Sequence, residues 1–224
     1  MQSELGKLAQ GGVLRVAINT GNRALVKMDG AALSGVSPAL ARRLAAEIGT
    51  EMQPIIYDGA GKVFADADQN KWDVGFLAID AKRAKKIAFT RPYITIEATY
   101  AVRNPSDFGN IESVDHAGVK VLTSTGSAYD MHLSKTLKHA TLERSGTPPE
   151  SFAEFRDGRC DAVAGIRESL VGFFGDDPKV RILPDVLTSV QQAMVLPDKD
   201  DPLIGALDDF VERAIADGLV ASSQ

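Results

Sequence analysis

Residues 71–93 read KWDVGFLAIDAKRAKKIAFTRPY, and the interpretation of the whole chain turns on this stretch. Val74, Gly75, Phe76, Leu77 and Ala78 form an apolar run bounded by polar residues, the pattern of a short strand covered on both faces. The sequence then turns polar from Asp80 to Lys86. In an open α/β sheet, ligands sit outside the carboxyl ends of the strands, which is where this turn delivers Arg83. A guanidinium there can hold a carboxylate through two parallel hydrogen bonds. The competing reading makes Arg83 a solvated member of the basic run Lys82, Arg83, Lys85 and Lys86.

Outward from this strand, helix-like and strand-like segments alternate from Val13 to Leu183, the signature of an α/β fold with mostly parallel sheets. Strands are expected at 13–18, 51–57 and 73–77. Between them come a helix that Ser37 caps with Pro38 at its first position, ending at Gly49, and a short helix at 62–69. A second set follows, with strands at 120–123, 141–144 and 161–164. Its helices are expected at 127–137, with Met131 and Leu137 inward, and at 149–157. NKWDVGFLAIDAKRA and DGRCDAVAGIRESL run alike, with Trp72 and Cys160 as core residues ahead of an aspartate. Either an internal duplication or a common way of starting a strand accounts for the likeness. Extended stretches at 94–102 and 187–196 read as two crossovers, and an amphipathic helix runs through Leu203, Leu207, Phe210, Ala214 and Ile215. The expected division is 1–98 plus 194–224 for one lobe and 99–193 for the other. Two crossings make a hinge, with a ligand cleft between the lobes.

With 224 residues the chain has material for two small cores. Its formal net charge of −5, with both signs mixed along the sequence, leaves no basic patch for nucleic acid. One cysteine excludes an intrachain disulfide. His116, His132 and His139 have no metal-ligand spacing, and no nucleophile elbow or phosphate-binding glycine loop appears, so no cofactor or metal is expected. The opening MQSELGKLAQGG lacks the apolar core of a signal peptide.

The order of these motifs, from the opening strand through Gly35-Val36-Ser37-Pro38 to the AFTRPY that follows the Arg83 turn, resembles the periplasmic polar amino acid-binding proteins of bacterial ABC transporters, solute-binding family 3. The resemblance covers nearly the whole chain. It implies the type II periplasmic-binding-protein fold, capture of a small solute for an ABC permease, a monomer, and an export signal on the precursor, with Met1 an added start. It also places the ligand's carboxylate on Arg83, beside Ala78, and opposite the loop Gly126, Ser127 and Ala128. In that loop the first turn of a helix offers free backbone N–H groups, with hydroxyls such as that of Ser124 alongside. An ordinary capped helix accounts for the same residues.

The departures bear on the ligand. The family places an aspartate for the ligand's ammonium five residues beyond the aspartate that begins the later strand, and counting from Asp161 gives Ile166. Arg167 follows directly, and Arg23 sits in the loop that begins at Asn19, after the first strand. Together with Arg83 these arginines favour a small anionic or carboxylate-bearing ligand over an ordinary zwitterionic amino acid, unless Glu168 supplies the ammonium partner. Gln191 on the returning crossover is a further candidate contact, as is the adjacent Gln192. Two other functions fit the same fold. One is a cyclohexadienyl dehydratase-like enzyme with Glu168 or Asp80 as its acid, and the other is a ligand-sensing module.

Overall fold

The computed structural model describes residues 4–224, and the reading of Met1 falls outside them. In chain order the first strands and α-helices are β1 (Val13–Asn19), the hairpin β2 (Lys27–Asp29) and β3 (Ala32–Ser34), α1 (Val36–Ile48), β4 (Glu51–Tyr57), α2 (Ala60–Ala65) and β5 (Gly75–Ala78). Next come the long β6 (Ala88–Arg103), then β7 (Lys120–Ser124), α3 (Ala128–Thr136), β8 (Thr141–Ser145) and α4 (Pro148–Arg156). The chain finishes with β9 (Ala162–Ile166), α5 (Arg167–Phe174), β10 (Val180–Ile182), β11 (Thr188–Leu196), α6 (Ile204–Ala216) and α7 (Leu219–Ser222). These form two compact units, one from the residues up to Thr20 with Leu25–Thr95 and Gln191–Gln224, the other from Gly21–Ala24 with Ile96–Val190. Two of the four unit boundaries fall within β6 and β11, the stretches whose β-branched sequences read as crossovers, and the other two flank Gly21–Ala24.

In the first unit β1 and β4 pair in parallel, Val13 opposite Glu51 through Asn19 opposite Tyr57. β5 joins β1 through a parallel bridge between Val16 and Val74, and pairs antiparallel with β11. Ala17, Tyr57, Val63, Trp72, Leu77 and Val195 pack into one core, where the Trp72 indole N–H donates to Val63 O at 3.2 Å. In the second unit β7 lies parallel to both β8 and β9, while β9 and β10 pair antiparallel with β6. Phe152, Phe155, Phe174, Cys160 and Leu170 form its core.

The local likeness between the two halves has a physical explanation in both units. Asp73 exchanges two hydrogen bonds with the start of β1, its carboxylate accepting Arg15 N–H at 2.8 Å and its own N–H donating to Arg15 O at 2.9 Å. Asp161 does the same at the start of β7, accepting Lys120 N–H at 2.8 Å and donating to Lys120 O at 3.0 Å. An aspartate in front of each strand thus pins it to its parallel neighbour, with Trp72 and Cys160 buried just before it.

Other expectations need correction. α1 is capped by Gly35 and not by Ser37, whose hydroxyl lies within the helix, buried 3.3 Å from Tyr93 OH. Gly35 sits at φ +101°, and a Cβ there would stand 2.5 Å from Leu25 O, so the helix entry requires a glycine. The inward residues of α3 are Tyr129 and Leu133, with Met131 and Leu137 only half-buried. Ile215 is exposed on α6. The β2–β3 hairpin, α5 and β10 had not been anticipated.

α6 is tied to β6 by Asp208, whose carboxylate accepts the backbone N–H of Arg91 and, at 2.9 Å, its guanidinium. These bonds, the side-chain one foremost, hold the Asp208 carboxyl below its ordinary value. A depressed folded-state pKa contributes stability above the unfolded value that is lost as pH falls. The stability gap between the parent and Asp208→Asn is therefore expected to be open at pH 7 and to narrow below about pH 4, as read from urea midpoints. Gly35→Ala should lower the unfolding free energy by about 1–3 kcal/mol in the same assay, from the positive φ alone.

Candidate functional site

In the first unit the four residues of β5 are all buried, and the strand stops where Asp80 caps the following turn. The Asp80 carboxylate accepts the N–H groups of Lys82 at 2.7 Å and Arg83 at 3.2 Å, and Asp80 O accepts Ala84 N–H at 2.9 Å. This capped turn leads into a single 3-10 turn, Arg83–Lys85, that sends the Arg83 side chain back toward its own strand. There its Nη1 donates to Ala78 O at 2.9 Å. Lys82 and Lys85 are exposed, while Arg83 is 1% exposed. The reading of Arg83 as a solvated member of the basic run is therefore wrong. Burial pushes its guanidinium pKa down to about 10, with the Asp80 charge acting the other way, so the group stays cationic at neutral pH.

Asn19 ends β1 opposite Tyr57, half-buried. Gln191 is exposed, and its carbonyl accepts Ile79 N–H at 2.9 Å, so its backbone helps to hold the end of β5. Gln192, opposite Ala78 in the sheet, is the buried one of the pair.

In the second unit β7 delivers Ser124 to a tight loop in which Gly126 has φ +72° and Ser127 caps α3. The Ser127 hydroxyl accepts Asp130 N–H at 3.0 Å, and the Asp130 carboxylate in turn accepts Gly126 N–H at 2.9 Å and Arg144 Nε–H at 2.9 Å. Ser127 N–H donates to Ser124 O at 3.2 Å, and the Ser124 hydroxyl is 2.6 Å from Tyr129 OH. Gly126 N–H, the Ser127 hydroxyl and the Ser124 hydroxyl are thus engaged inside the loop. The donors of this turn with no partner among the described residues are the N–H groups of Ala128 and Tyr129. Asp130 went unnoticed in the sequence, although a serine followed three residues later by an acid is a recognisable capping signal.

Arg167 has other work. Its Nε donates to Glu97 at 3.1 Å, and its terminal nitrogens donate to the carbonyls of Leu183, Pro184 and Asp185. These bonds commit its guanidinium to β6 and the chain beyond β10, which corrects its assignment as a cation waiting for a ligand. Arg23 is exposed, with its backbone N–H on Ser169 Oγ at 3.0 Å. Ile166 is buried and apolar, and Glu168 is exposed on the first turn of α5.

Because the Ser127 hydroxyl holds the first turn of α3, Ser127→Ala should lower the unfolding free energy by about 1 kcal/mol in urea denaturation. An unchanged midpoint would show that the hydroxyl does not hold this turn.

The family model described as bacterial extracellular solute-binding proteins, family 3, matches residues 14–224. No curated protein matches the sequence closely enough to be informative. Among solved structures, a mutant of ArgBP from T. maritima superposes with a TM-score of 0.83 at 22% identity, covering 97% of this chain and 96% of that one. The cysteine-binding protein from Campylobacter jejuni gives 0.84 at 19% identity, covering 99% and 91%. An ancestral amino acid-binding protein described as a precursor of cyclohexadienyl dehydratase gives 0.81 at 22% identity, covering 97% and 96%. The mixed α/β architecture is the type II periplasmic-binding-protein fold. The chain belongs to the family 3 bacterial extracellular solute-binding proteins.

Proposed function

We propose that this protein captures a small carboxylate-bearing solute in the periplasm for an ABC importer, binding it without turnover as a monomer. Arg83 carries the reading. A cation at the end of a buried strand, stripped of solvent and anchored by Ala78 O, presents a strong and preorganised partner for a carboxylate. The backbone N–H groups of Ala128 and Tyr129 offer further donors, and closure of the two lobes over the ligand would bring both sets onto it. A ligand shifts such an equilibrium only through the extra contacts it makes in the closed state.

Ile166 supports a ligand without an α-amino group. An ammonium placed against a buried isoleucine loses its hydration and gains no carboxylate in return. Binding is favoured over a dehydratase-like activity because neither candidate acid is set up as a proton donor. The Asp80 carboxylate is occupied by two backbone N–H groups, and Glu168 is exposed.

A thermal-shift panel of small carboxylates and common L-amino acids should give its largest stabilisation with carboxylates that lack an α-amino group. Stabilisation by ordinary amino acids alone would overturn the carboxylate reading. For the best carboxylate, Arg83→Met should weaken calorimetric affinity by about tenfold or more, the worth of one charge-assisted hydrogen bond, while cooperative unfolding is retained. Unchanged affinity would remove Arg83 from the site.

A further inference from the structure

β4 is a free edge of its sheet. It pairs with β1 and with no other strand among the described residues. The register fixes which of its residues bond inward. Tyr57 O accepts Thr20 N–H at 2.8 Å, so the polar backbone groups of Tyr57 face β1. By the two-residue alternation of a strand, those of Ile55, Gln53 and Glu51 do the same. The backbone groups of Met52, Pro54 and Ile56 therefore point away from β1, and they have no hydrogen-bond partner among the described residues.

An edge of this kind is a template for a further strand, and β4 carries little of the usual protection. Its sequence EMQPIIY holds a single charge, Glu51, at its first residue. The residues of the unpaired row are apolar, with Ile56 48% exposed and Met52 half-buried. The strand is also complementary to itself. Two copies of β4 laid antiparallel about a twofold axis at Pro54 set Met52 against Ile56 on both sides of the axis, Glu51 against Tyr57 and Thr50 against Asp58, so no like charges meet. Proline stands at the centre of that match. On the axis it would face its own copy as a hydrogen-bonded pair, which requires an N–H from each residue, and proline has none. The missing N–H lies on the side away from β1, so the proline costs β4 no bond to its own sheet.

We propose that the outer edge of β4 is a self-association surface for a second copy of this chain, and that Pro54 holds it closed. The proposal goes beyond ligand capture and rests only on the monomer stated with it above. Replacing the proline restores two N–H···O bonds across the axis. The contact then consumes both edges, so association stops at the dimer.

The test is sedimentation equilibrium of the parent, Pro54→Thr, Gln53→Thr and the double variant Pro54→Thr with Ile56→Lys, at about 10 to 500 μM. The parent should stay monomeric throughout. Pro54→Thr should rise toward the dimer mass with concentration, and its thermal midpoint should rise with it. Gln53→Thr adds the same β-branched residue where the N–H already faces β1, and should remain a monomer. Ile56→Lys puts a charge on the edge and should return the double variant to monomer. A cooperatively folded Pro54→Thr that stays monomeric overturns the inference alone, whereas a parent that dimerises overturns it together with the monomer reading. Dimerisation of Gln53→Thr as well would assign the effect to strand propensity and remove the role of Pro54. Association that survives Ile56→Lys, or continues past the dimer, puts the contact elsewhere and also overturns the inference. Loss of cooperative unfolding in both Pro54→Thr and Pro54→Ala would show that the proline serves the fold, which overturns it too.

Discussion

A guanidinium loses favourable hydration when it is buried, and the cost is several kcal/mol unless the protein or a ligand restores the lost interactions. Arg83 is held in that condition at the end of β5 by elements that all lie within a few residues of it. Buried apolar residues carry the strand to Ala78, the Asp80 carboxylate closes the turn, and one 3-10 turn aims the side chain back at Ala78 O. Its neighbours Lys82 and Lys85 escape to solvent from the same turn. The surrounding structure therefore singles out one cation in a basic run and keeps it charged, and the functional reading depends on that selection.

The rest of the charge distribution points the same way. Both units start a strand with an aspartate that ties it to the beginning of a parallel neighbour, so Asp73 and Asp161 are consumed as structural partners. Asp130 is consumed at the N-terminus of α3, where it accepts Gly126 N–H and Arg144 and lends its charge to the positive end of the helix. Arg167 is spent on Glu97 and three carbonyls. In the second unit, the donors without an internal partner among the described residues include the Arg23 guanidinium and the N–H groups of Ala128 and Tyr129.

This division explains why composition says little about the ligand. The net charge of −5 describes the surface as a whole, while recognition rests on a few groups whose neighbours decide whether they are available. Two arginines read from the sequence as equivalent candidates, Arg23 and Arg167, have opposite fates. Arg167 opens α5 and is drawn into its own unit by carbonyls beyond β10, whereas Arg23 is laid over a glycine and its guanidinium has no partner among the described residues.

The sequence by itself determined the strands β1, β4 and β7, the end of α1 at Gly49 and the turn that carries Arg83, because apolar runs, strand-ending turns and a left-handed glycine are local signals. It also carried the order of motifs that marks the family. The start of α1 was decided by tertiary structure, since Gly35 is required by the approach of Leu25 O from ten residues away. α5 was equally hidden, for its segment RESLVGFF has no polar cap, contains a glycine and ends in aromatic residues, and it is held by packing of Leu170 and Phe174 in the core. Only tertiary structure decided how these donors and cations are placed, because burial of Arg83, occupation of Gly126 N–H by Asp130 and seating of Arg23 on Gly172 all depend on where other parts of the chain come to lie.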